Sequence, residues 1–88
     1  MASIGVCEDD PAIRGVLGEA LESAGHTVTM AHSAREALVL FGADTPLDAL
    51  ILDIGLPDAD GRDLCQALRG NGQPAPVLFL TEIGRAHV

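Results

Sequence analysis

Eighty-eight residues make one domain at most, with room for only a small core. The chain is 48% apolar, with no Trp or Tyr and only two Phe, so that core must come from Leu, Val, Ile and Ala. A net charge of −8 argues against direct binding to nucleic acid or an anionic membrane, since both require a basic face. All five basic residues are arginines (14, 35, 62, 69 and 85), and there is no lysine.

The two cysteines, Cys7 and Cys65, lie far apart and in no metal-ligand spacing, which fits small reduced core residues. No apolar run approaches the ~20 residues of a membrane span. Glu8-Asp9-Asp10 stands where a signal peptide would be apolar, so a cytoplasmic location is expected.

The first element is an apolar strand over Ile4 to Cys7, bounded at once by three acids. Asp10-Pro11 then opens a helix, Asp as the cap and Pro at the first helical position. Ile13, Val16, Leu17, Ala20, Leu21 and Ala24 recur at helical spacing, and Gly25 closes that helix. His26 to Met30 alternates and is β-branched, hence a second strand. Ser33 and Glu36 have capping-box spacing and start a second helix ending near Gly42, with Ala34, Ala37, Leu38 and Phe41 as its inward stripe. Asp48 to Asp53 is apolar on both faces, as a strand inside a parallel sheet would be. A third helix follows from about Gly61 to Arg69 with Leu64, Cys65 and Leu68 inward. The stretch 70–76, GNGQPAP, is a loop by composition, and Val77 to Leu80 is a fourth strand.

Short strands alternating with helices, joined by right-handed crossovers, give a parallel sheet with helices on both faces. Function in such sheets lies beyond the carboxyl ends of the strands. That edge receives Glu8, Asp9 and Asp10 after the first strand, Asp53 after the third and Thr81 after the fourth. Two unit charges 4 Å apart repel by about 4 kcal/mol at an effective dielectric near 20, so three acids there require a cation, or one of them must stay protonated. Oxygen ligands with room for water suit magnesium, and a carboxylate beside it can act as a nucleophile toward phosphorus. Asp10 is assigned to helix capping and Asp58 and Asp60 to turn chemistry, which leaves Glu8, Asp9 and Asp53 as the site.

At these residues the chain resembles the receiver domain of two-component response regulators, over residues 3 to 81. VCEDDPAIR is similar to that family's first strand and acidic pair, which implies that Glu8 and Asp9 hold magnesium. DIGLPDADG is similar to its phosphoacceptor signature, with Pro57 four and Gly61 eight residues after the acid, which implies that Asp53 is phosphorylated. The resemblance further implies Asp53 and the Gly55 carbonyl as metal ligands and Thr81 as a switch hydroxyl. It implies a flavodoxin-like doubly wound sheet of strand order 2-1-3-4, not an enzyme in its own right, taking its phosphoryl group from a sensor histidine kinase. LPDADGRDL is similar to regulators with a C-terminal winged-helix DNA-binding domain, the expected output of the full-length protein, with a stand-alone receiver or a hybrid kinase as the alternatives.

The family continues with a fourth helix, a fifth strand ending in Lys, and a fifth helix, so the fold is expected to be C-terminally incomplete. Residues 82–88, EIGRAHV, have no helical or strand period. IGRAHV reads from ATC GGA AGA GCA CAC GTC, similar to a sequencing adapter, so 1–81 is expected to be a partial receiver domain and 82–88 a non-native tail. Two other readings compete. A haloacid-dehalogenase-type phosphatase would need a second Asp at position 55, which is Gly. A degenerate receiver used only for interaction is disfavoured by intact Glu8, Asp9, Asp53 and Thr81.

Overall fold

A computed structural model of the chain describes residues 1–81; the tail expected at 82–88 lies outside the described residues. The elements are β1 (Ser3–Cys7), α1 (Pro11–Ser23), β2 (Thr27–Ala31), α2 (Ala34–Leu40), β3 (Ala49–Asp53), α3 (Gly61–Gly70) and β4 (Val77–Leu80). All pairings are parallel, in the order β2-β1-β3-β4. β2 begins and ends one residue later than its alternation suggests.

The register divides the side chains between two faces. Cys7 pairs with Ala31 on one side and Leu52 on the other. With Leu50, these residues pack against Phe41, Ala34 and Ala37 near α2 and against Leu64 and Leu68 of α3. The opposite face carries Ile4, Val6, Val28 and Met30, and there the Met30 methyl lies against Gly18 of α1. Helices thus cover both faces, but unequally. No residue of α1 is fully buried, and Val16, one of its apolar residues at helical spacing, is 69% exposed. Beyond α1 the same sheet face is open over β4, where Leu78 is 66% exposed.

Helix ends follow local chemistry. The Asp10 carboxylate accepts from the amides of Ala12 and Ile13, capping α1 as its position before Pro11 predicts. Gly25 at φ 92° and Gly72 at φ 94° end α1 and α3, a backbone region that side chains disfavour. After each, the next amide returns to the helix, His26 N–H to Leu21 C=O and Gln73 N–H to Leu68 C=O. At α2, Ser33 Oγ accepts from the Glu36 amide, and Glu36 answers by accepting from His32 N–H rather than from Ser33. Leu38 is exposed, contrary to its place in the predicted stripe. Ala34, Ala37 and Phe41 are spaced i, i+3, i+7, and Leu40 flanks them on the core side, which turns Leu38 outward.

Unequal cover makes unequal stability contributions. Leu50→Ala, which empties a fully buried position, should cost about 2–5 kcal/mol. Leu78→Ala on the open face should cost less than ~0.5 kcal/mol. Urea unfolding of the two variants measures this difference, and equal losses would show the β4 face to be covered in solution.

Candidate functional site

β1 and β3 end side by side. Cys7 pairs with Leu52, so the next residues out, Glu8 and Asp53, emerge at the same edge of the sheet. Glu8 and Asp53 are fully buried, and one carboxylate oxygen from each of Glu8, Asp9 and Asp53 lies within 4.8 Å of the others. Neighbouring amides hold two of these acids: Asp10 N–H donates to Glu8 Oε2 at 2.9 Å and Gly55 N–H to Asp53 Oδ1 at 3.1 Å. Asp9 differs, because its Oδ1 is buried and accepts no hydrogen bond. A buried carboxylate oxygen without a donor, beside two further acids, is costly unless a cation supplies the missing partner. Three hard oxygen donors at this spacing fit a divalent metal ion.

The loop after Asp53 is tied at both ends. Gly61 N–H donates to the Ile54 carbonyl at 2.9 Å, and a Cβ on Gly61 would collide with the Asp53 carbonyl oxygen. Helix α3 therefore starts in direct contact with the backbone of Asp53, which is the physical reason for glycine eight residues after the acid. Asp60 caps α3 through Arg62 N–H at 2.8 Å. The Arg62 side chain, and next its amide, pull the Asp60 carboxyl down to about 2.

Asp58 does more than its own turn requires. Its two oxygens accept from Ala34 N–H at 2.9 Å and Arg35 N–H at 3.0 Å, capping α2 from 24 and 23 residues away. Those two backbone bonds hold its carboxyl below the usual value. Neither this cap nor the role of Arg14 could be read locally. Arg14 Nη1 donates to the carbonyls of Glu8 at 3.0 Å and Asp9 at 2.8 Å. The one available signal was a guanidinium in the first turn of the helix that follows the acidic pair.

The remaining candidates stand at the same edge. Gly55 is exposed, two residues beyond Asp53 and opposite Asp60 in a single antiparallel bridge. Thr81 directly follows Leu80, whose register partner is Asp53 and whose carbonyl accepts from Ile54 N–H at 3.1 Å. Cys7, beneath the acids, is buried, and its thiol is pushed up to about 12 by burial and then by the charges of Asp58, Asp53 and Glu8. It stays a protonated core residue.

The model of the response regulator receiver domain matches residues 4–87. The chain belongs to the response regulator receiver domain family. It is 43% identical over 76 residues to the response regulator MprA of Mycobacterium tuberculosis, covering 86% of this chain and 33% of that protein. It thus spans about a third of the length of the curated relatives it matches. Among solved structures it is similar to the Thermotoga maritima response regulator TrrA in complex with Mg(2+)-BeF, with TM-score 0.84, 33% identity, and 93% of this chain and 70% of that one covered. It is also similar to a chain of the crystal structure of histidine kinase ThkA in complex with TrrA, with TM-score 0.82, 32% identity, and 99% and 72% covered.

Two outcomes test how the loop is held. Gly61→Ala should destabilise the domain by about 1–3 kcal/mol, because the added methyl meets backbone that cannot step aside. Chemical denaturation reads that loss, and an unchanged midpoint would remove the contact. Because Asp58 is lowered from 3.8, its cap on α2 is present above the unfolded value and is lost as pH falls through the lower folded value. The Ala34 and Arg35 amide resonances, followed by NMR on acidification, should therefore shift with a midpoint below pH 3.8.

Proposed function

We propose that this domain accepts a phosphoryl group on Asp53 from the phosphohistidine of a sensor kinase, with magnesium held at Glu8, Asp9 and Asp53, and so switches an output. The observation that carries this reading is Asp53 fully buried at a strand end, with Glu8 and Asp9 within 4.8 Å and Asp9 Oδ1 lacking a donor. An Asp53 carboxylate oxygen attacks phosphorus in line, the P–O bond forms, and the P–N bond to the donor imidazole breaks. The imidazole nitrogen leaves with the bonding pair.

Magnesium, when bound, would neutralise the acids and the charge on the phosphoryl oxygens. Every other part belongs to the chain. Gly55 N–H, donating to Asp53 Oδ1 at 3.1 Å, orients the carboxylate that attacks. The Gly55 carbonyl would complete the protein ligands, and the Thr81 hydroxyl would donate to a phosphoryl oxygen.

TrrA, solved with Mg(2+)-BeF and with a histidine kinase, supports both the metal and the class of donor for a related domain. Among the described residues no helix is long and apolar enough to cross a membrane, and the proposed location is the cytoplasm. The proposed output is a C-terminal DNA-binding domain in the full-length protein. Residues 1–81 as a partial receiver domain and 82–88 as a non-native tail remain our reading, tested by the genomic DNA beyond codon 81.

Phosphorylation with acetyl phosphate or a labelled histidine kinase should require magnesium and stop in Asp53→Asn. Asp9→Asn should weaken magnesium by tenfold or more, since it removes a charged ligand. Undiminished labelling of Asp53→Asn would move the nucleophile elsewhere, and labelling in the presence of a chelator would remove the metal.

A further inference from the structure

The carboxylates of Glu8 and Asp9 can converge on Asp53 only if the backbone between β1 and α1 holds one conformation. Up to Glu8 the chain is fixed by the sheet, whose last bond here runs from Glu8 N–H to the Ala31 carbonyl at 3.1 Å. From Ala12 onward it is fixed by the Asp10 cap. Between these points the carbonyls of Glu8 and Asp9 lie outside both the sheet ladder and the helix. A buried carbonyl without a donor would cost free energy, and Glu8 is buried completely. Both carbonyls accept from the same atom, Nη1 of Arg14, at 3.0 and 2.8 Å. One guanidinium nitrogen spends its two protons on the two consecutive peptides that carry the acidic pair.

We infer that Arg14 is a positioning residue for the acidic site: by clamping the Glu8 and Asp9 carbonyls it holds the two carboxylates where a divalent cation binds. The inference rests on the proposed metal site for its functional meaning and on the two hydrogen bonds for its geometry. Arg14 touches no reacting atom. It acts through the peptides it holds.

The sign of its effect separates this role from plain electrostatics. A guanidinium near a cation site repels the cation, so removing the charge alone would tighten magnesium binding. Releasing the clamp does the reverse, because the carboxylates must then be ordered at the expense of binding. A purely structural tether would lower the unfolding midpoint and leave the affinity of the folded fraction unchanged.

The test compares the 88-residue chain with Arg14→Met, which keeps the apolar stem and removes every donor. Magnesium chloride is titrated while the Glu8, Asp9, Asp10 and Gly55 amides are followed by NMR, and urea midpoints are measured beside it. The expected result is a magnesium affinity at least fivefold weaker in Arg14→Met. Unchanged or tighter binding would overturn the inference. A second readout needs no metal: exchange of the Asp10 amide, which donates to Glu8 Oε2, should be faster in Arg14→Met by a similar factor, and equal exchange would also overturn it. Should the unsubstituted chain bind no magnesium, the metal reading fails and the clamp is judged on that exchange alone. If Arg14→Met does not fold, Arg14→Lys carries the same comparison, since it keeps the charge on a shorter stem that ends short of the Nη1 position.

Discussion

Three carboxylates within 4.8 Å of one another repel strongly enough that no part of this fold can be indifferent to them. At an effective dielectric near 20, each ionised pair at 4 Å costs about 4 kcal/mol, a large fraction of the ~5–15 kcal/mol that holds a small domain together. The architecture concentrates this cost at one point. The registers Cys7–Leu52 and Asp53–Leu80 bring the ends of three strands to one edge, and the acids leave the sheet there. Amides of the adjoining loops then donate to Glu8 and Asp53 but leave Asp9 Oδ1 without a donor. Part of the compensation is thus built into the protein, and Asp9 is left poised for a cation.

Holding such a cluster requires that the loops carrying it cannot relax apart. Each loop is secured by a partner outside itself. The β1–α1 turn is held by Arg14 from within α1, and the β3–α3 loop by the Asp58 carboxylate on the first amides of α2. Gly61 lets α3 sit directly against the Asp53 peptide. These contacts explain why the loop between Asp53 and Gly61 is not a spacer. It joins the acidic edge to α2 through the Asp58 carboxylate and to α3 through the contact of Gly61 with the Asp53 peptide.

Much of this was legible in the sequence, because alternation, caps and turn residues are local signals. Asp10-Pro11 and the run from Asp48 to Asp53 placed their elements to within one residue, and a parallel sheet with acids at the carboxyl edge followed from right-handed crossovers, while its strand order came from the resemblance. Partners distant in sequence were not legible. Asp58 looked like a turn residue because nothing local announces a helix 24 residues earlier that needs its carboxylate. Gln73 looked like loop filler within GNGQPAP. It is buried, donating to the carbonyls of Phe41, Gly42 and Thr45 and accepting from Ala75 N–H, so it pins the α3–β4 loop to the end of α2. Leu38 and Val16 were misplaced for another reason. Periodicity gives a stripe, but the width of that stripe depends on what the neighbouring elements cover.

That uneven cover gives the site a direction. On the side of α2 and α3 the sheet rests on close-packed Leu50, Leu52, Phe41, Leu64 and Leu68, where displacement opens cavities and is expensive. On the side of β4 the chain is half-exposed, with Leu78 and Phe79 in partial contact with solvent, and moving it forfeits little burial. Asp53 stands between the two, hydrogen-bonded to the Gly55 amide and paired in register with Leu80. Displacing the end of β3 therefore costs more burial toward the core than toward β4. The acids thus rest on the stiff half of the sheet, where the registers of β1 and β3 fix their spacing.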